Sequence, residues 1–215
     1  FTAVNEGEPV LAGDTIAQQR GIRDPHIFRG PDGAFYLAMT DLHVFGLRDG
    51  YRKTEWERGP EYGWGNNRGL VLMKSWDLIH WNRANIRFDK LSAGLGEIGC
   101  VWAPEVAYDD KKGKLMIYYT MRFKSEANKM YYVYVNDDFN KIESTPQILF
   151  EYPMDGVSAI DGDITKIGDK YHLFYVAHDG GGGIKQAVSD RMNGGYVFEA
   201  RWYDFVPKAC VAPNV

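Results

Sequence analysis

The stretch "WAPEVAYDDKKGKLMIYYTMR", residues 102–122, decides the fold. Its first half is an apolar run that breaks at "DDKKG", and its second half, "KLMIYYTMR", is short and rich in aromatic and β-branched residues. Two such runs joined by a tight polar turn read as an antiparallel hairpin. The pattern recurs on either side: "RDPHIFRGPDGAFYLAMTD" (23–41) turns at "GPDG", and "IDGDITKIGDKYHLFYVAHD" (160–179) turns at "IGD". A third run follows each hairpin: "GLVLMKSWDLIHW" (69–81), "MYYVYVNDDFNKI" (130–142) and "GIKQAVSDRMNGGY" (183–196), each with a Ser or Asn followed by Asp near the unit's end. Helical periodicity is weak throughout, and "SWDLIHW" is too short for more than a turn. The chain therefore reads as all-β, and self-similarity at this period points to a β-propeller with four strands to a blade.

Aligning Asp24, Ala103 and Asp161 sets the register of the repeat. It divides a single domain, 1–215, into blades at about 20–85, 98–150 and 157–205. On the same register "VAPNV" (211–215) opens a fourth unit, so residues 209–215 are expected to be its first strand. Three blades and one strand cannot close a ring, and natural sheets avoid open edges. The expectation is a piece of a longer propeller.

Composition narrows the function classes. The 45% hydrophobic share suits a packed core, and 14% aromatic residues suit buried layers or sugar-stacking surfaces. A net charge of −4, with no basic cluster, argues against nucleic acid as a partner. No apolar run approaches the roughly 20 residues that cross a bilayer, so no membrane partner is expected. The start "FTAVNEGEPVLAG" is not a leader, and the expected setting is secreted or periplasmic with any signal already removed. Cys100 and Cys210 fit neither a disulfide framework nor a zinc site.

In a propeller the first strand of each blade lines the central channel, so side chains near its entrance gather from positions distant in sequence. Asp24 in "IRDPHI", Glu105 in "WAPEV", and Asp161 with Asp163 in "AIDGDI" occupy that repeated place. Converging carboxylates are what glycosidic bond cleavage needs, one to activate water and one to protonate the leaving oxygen. The bland alternative is that Asp before Pro merely caps a strand entry.

"RDPHIF", "FYLAMT", "SWDLIHW", "WAPEV" with "KLMIYYT", and "AIDGDI" with "KYHLFYV" occur in the order found in glycoside hydrolase family 43, which this sequence resembles through residues 20–215. That family consists of five-bladed β-propellers and includes arabinofuranosidases, endo-arabinanases and xylosidases. The resemblance implies an inverting glycosidase acting on α-L-arabinofuranosyl or β-D-xylosyl linkages in plant polysaccharides or oligosaccharides. It makes Asp24 the general base, and makes Asp161 the residue that holds substrate and raises the pKa of the acid. It gives Glu105 a structural or substrate-shaping role. The chemistry requires no cofactor, although some members hold a channel cation such as calcium. The family's acid is a Glu in a short "EGP" or "EAP" motif, and here Val211 of "VAPNV" stands in its place. A valine cannot donate a proton, so the alternative is a carbohydrate-binding propeller without catalysis.

Other candidates concern substrate contact. Trp102 either stacks on a sugar or fills the core between blades. His43 and His178 are candidate substrate contacts, and "HDGGGG" after His178 reads as a loop near the channel mouth. The polar and aromatic insert 46–69 either carries specificity, through Trp56, Tyr62 and Trp64, or is a solvated excursion.

Overall fold

The computed structural model describes residues 5–51, 58–64, 67–181, 183–199 and 213. Three four-stranded antiparallel sheets follow one another along the chain. The first comprises β1 (Ile22–Arg29), β2 (Phe35–Asp41), β3 (Gly69–Ser75) and β4 (Trp81–Arg87). The second comprises β5 (Ile98–Asp109), β6 (Lys114–Phe123), β7 (Lys129–Tyr134) and β8 (Gln147–Phe150), and the third β9 (Ala159–Ile167), β10 (Lys170–Ala177), β11 (Ile184–Ser189) and β12 (Val197–Phe198). Within each sheet every strand pairs with its neighbour in sequence, and β1 packs against β5 and β5 against β9. These are blades of a partial β-propeller, with the first strand of each blade innermost.

The fourth strand of each blade was the part of the repeat without a clear signal. "WNRANIR" in β4 is polar and half-exposed, and β12 is two residues long. Outermost strands bury little, so no apolar run marks them. "SWDLIHW" is indeed a turn: the Ser75 hydroxyl accepts from the N–H groups of Asp77 and Leu78, and Asp77 Oδ1 accepts from those of Ile79 and His80.

The second strands, β2, β6 and β10, are buried on both faces, and period-two alternation sorts their side chains between layers. On β6, Leu115, Ile117, Tyr119 and Met121 join Tyr36, Leu70, Leu72 and Phe88 in a core between blades one and two. Met116 and Tyr118 face the other way, into a core with Met130, Leu173 and Tyr175 between blades two and three. The far face of blade one, Leu37, Met39, Val71 and Met73, is covered by Leu11, Ile16 and Ala17 of the N-terminal segment. That segment is fastened at Asp41, whose carboxylate accepts from the N–H groups of Gln18 and Gln19 at 2.9 Å each.

Candidate functional site

Each inner strand is interrupted at the same place. The ladder between β1 and β2 shifts between Arg23 and His26, that between β5 and β6 between Trp102 and Glu105, and that between β9 and β10 opposite Asp161 and Gly162. The residue at each bulge is left-handed: Asp24 at φ 50°, Ala103 at φ 44° and Asp161 at φ 53°. The sequence alignment of these three positions is thus an alignment of backbone conformation. A bulge inserts one unpaired residue and re-aims its side chain, and an L-residue in this region costs about 1–2 kcal/mol. Such strain persists where the surroundings hold it in place.

Two buried threonines do the holding. Thr40 of β2 donates its hydroxyl to Asp24 Oδ2 at 3.0 Å and accepts from the Ala103 N–H at 3.0 Å. Thr120 of β6 accepts from the Asp161 N–H at 3.1 Å. Each threonine thus bonds the bulge of the next blade, and Thr40 also orients the carboxylate of its own. Gly162 follows Asp161 because a Cβ there would lie 2.6 Å from Met130 Sδ and 2.9 Å from Leu173 Cδ1.

The bulges bring Asp24, Pro25, Ala103, Glu105, Asp161, Gly162 and Pro213 around one cavity of about 150 Å³. Three carboxyl groups from three blades therefore share a space the size of a small sugar's reacting end. A second tier, two residues beyond each bulge, consists of His26, Glu105 and Asp163. His26 Nδ1 accepts from the Val106 N–H at 2.9 Å, which leaves the neutral ring's proton on Nε2. Nε2 lies 2.9 Å from Glu105 Oε2 but out of line, so that buried oxygen has no well-aligned donor. Burial pushes the Glu105 carboxyl above the usual range; His26 opposes this, while Asp163 and Asp161 reinforce it. Asp163 itself is buried and lines a larger cavity of about 490 Å³ with His26, Tyr118, Thr165 and Tyr171.

A carboxyl whose folded pKa is raised contributes stability that is fully present below its unfolded pKa and is lost as pH rises through the folded value. Glu105→Gln removes that loss. Denaturant titrations between about pH 4 and pH 7 should show the variant gaining on the wild type as pH rises. A difference between the two that does not change with pH would show that Glu105 ionises as readily folded as unfolded.

Trp102 lies beside the cavity, immediately before Ala103, with its ring 5.5 Å from that of Trp64 and 4.7 Å from the Arg122 guanidinium. His43 lies just past β2, its ring 5.6 Å from Tyr51, and His178 is exposed in the turn after β10. Neither is among the residues that line the cavity of Asp24 and Asp161. Tyr62 and Trp64 lie in the segment between β2 and β3, their carbonyls accepting from Arg122 of β6, whereas Val211, Trp56 and Cys210 lie outside the described residues. Cys100 is buried, which pushes its thiol up to about 12. Among the described residues, no group of three or more His, Cys, Asp or Glu side chains is arranged to hold a metal ion. No helix among them is long and apolar enough to cross a membrane. Sequence reasoning missed Thr40, Thr120 and Arg122. The threonines had a signal, since "AMTD" and "YYTMR" place them at the same position of the repeat.

Comparison with known proteins adds three observations. A family model related to glycosyl hydrolase family 43, described as a probable glycosyl hydrolase domain, matches residues 1–208. An α-L-arabinofuranosidase of Bifidobacterium longum subsp. longum is 26% identical over 196 residues, which cover 84% of this chain and 17% of that protein. Among solved structures, an α-L-arabinofuranosidase of Lactobacillus brevis aligns at TM-score 0.52 and 17% identity, covering 86% of this chain and 53% of that one. An endo-1,4-β-xylanase of Bacteroides thetaiotaomicron aligns at TM-score 0.58 and 17% identity, covering 88% and 57%. The chain thus spans less than a fifth of the curated relative and little more than half of either structure. At these identities the structural likeness concerns the fold alone.

Proposed function

Because this chain belongs to the family of probable glycosyl hydrolase domains related to family 43, we propose that the whole protein is an inverting glycosidase of α-L-arabinofuranosyl or β-D-xylosyl linkages. Its substrates would be plant polysaccharides or the oligosaccharides cut from them. The observation that carries this reading is the meeting of Asp24 and Asp161, on separate blades, in one cavity. Asp24 is the general base: with Thr40 donating to Oδ2, its carboxylate takes a proton from water as that water's oxygen bonds the anomeric carbon, the glycosidic bond breaks and the leaving oxygen takes a proton from a general acid outside the described residues. Inversion needs about 6.5 to 9.5 Å between base and acid to seat the water, and groups on different blades suit that gap. Asp161 raises the proton affinity of the acid and holds the sugar. The reaction calls on carboxyl groups alone and needs no cofactor.

The printed name of the curated relative, an α-L-arabinofuranosidase, supports a pentose-containing substrate. A second reading, a sugar-binding propeller without turnover, rests on Val211, which stands where the resemblance puts the acid. Proton NMR of the first product distinguishes the two. Release of pentose from an α-arabinofuranoside or β-xyloside with the anomeric configuration inverted is expected. Retention of configuration would overturn the mechanism, and tight binding of oligosaccharide without product would favour the second reading.

A further inference from the structure

Arg23, Trp64, Trp102 and Arg122 form a chain of ring and guanidinium contacts beside the carboxylate cavity, the two indoles meeting edge to face. The Arg23 guanidinium lies 6.0 Å from the Trp64 ring centre, Trp64 is 5.5 Å from Trp102, and Arg122 is 4.7 Å from Trp102. Two members immediately precede bulge residues, Arg23 before Asp24 and Trp102 before Ala103, so the chain of contacts is fixed to the cavity at two strands.

The two ends of these contacts differ. Arg122 is buried and donates to five acceptors: the carbonyls of Lys124, Tyr62 and Trp64, Asn128 Oδ1 and Cys100 Sγ. It pins the backbone of Trp64, whose side chain nevertheless stays 60% exposed. An exposed indole on a rigid backbone is a ready stacking face for the apolar side of a sugar ring. At the other end Arg23 is exposed and makes no ion pair or hydrogen bond among the described residues. Glu97, an acidic group on this side of blade two, is already engaged by the Tyr62 hydroxyl and by Lys124.

A guanidinium with free donors beside an aromatic face recognises a carboxylate on a ring. The cavity itself repels such a group, since Asp24, Asp161 and Glu105 line it. A sugar acid is therefore accepted at the rim and not within. Resting on the glycosidase reading, we propose that Arg23 and Trp64 form a subsite flanking the cleaved linkage that binds a uronic acid unit, so that the protein prefers acidic glycans.

The test uses the full-length protein and two xylo-oligosaccharides of equal backbone length, one bearing a single glucuronic acid branch. Calorimetry is expected to show the acidic ligand binding at least about tenfold more tightly. That preference should shrink in 0.5 M salt, persist in part in Arg23→Lys and vanish in Arg23→Gln. Trp64→Ala should weaken both ligands. Equal binding of the two with Arg23 intact, or a preference that survives Arg23→Gln, would overturn the proposal. Every protein compared carries Asp24→Asn as well, so binding is read without turnover, and failure of the subsite and failure of the glycosidase reading give different results.

Discussion

Asp24→Asn is expected to lower kcat on an aryl pentoside by about 10²- to 10⁴-fold, the range that a positioned general base supplies. Asparagine is the informative substitution. It tolerates the left-handed backbone at φ 50° as aspartate does and can still accept from the Thr40 hydroxyl, so shape is kept and only the negative charge is removed. Alanine would add strain to the loss of charge. A thermal unfolding midpoint close to that of the wild type, together with the fall in kcat, would assign the effect to proton transfer. Activity within about threefold of the wild type would remove Asp24 from the mechanism.

Arg122→Met is expected to cost about 3 kcal/mol or more of unfolding free energy, measured by denaturant titration. The residue is buried, and its five acceptors include three backbone carbonyls. Methionine fills much of the volume but leaves those acceptors without a donor. Arg122→Lys recovers only part of the loss, because one ammonium cannot reproduce the planar fork that serves them together. A loss under about 1 kcal/mol would show that water replaces the guanidinium at no penalty, so that Arg122 is not the anchor of Trp64.

The fold was legible because blades repeat. "KLMIYYTMR" and "KYHLFYVA" announce buried second strands by composition, and the turns between are polar. The fourth strands were not legible: β4 and β12 bury too little to impose an apolar pattern. For the site, the aligned positions 24, 103 and 161 were readable as a register, and Asp24 and Asp161 were named from it together with the family likeness. Their left-handed backbone was not readable, because the conformation at Ala103 is imposed from the neighbouring blade through Thr40, not by alanine's own preference. Arg122 escaped notice for a related reason. Its acceptors come from residues 62, 64, 100, 124 and 128, and a single charged letter in an apolar strand carries no trace of them. The histidines show the converse: His43 and His178 drew attention by chemical type, while His26, inside a quoted motif, is the one that joins the second tier.

Four of the bonds between blades run one way. Thr40 serves Ala103 and His26 serves Val106; Thr120 serves Asp161 and Tyr118 serves Ile164. In every case the side-chain acceptor comes earlier in the chain than the amide it receives. On a ribosome, then, each blade emerges into a partner that has already been made, and the backbone twist at Asp161 can be templated as the third blade appears, with no wait for the ring to close. The geometry of the carboxylate cavity is in this sense inherited, handed forward from each blade to its successor in the order of synthesis.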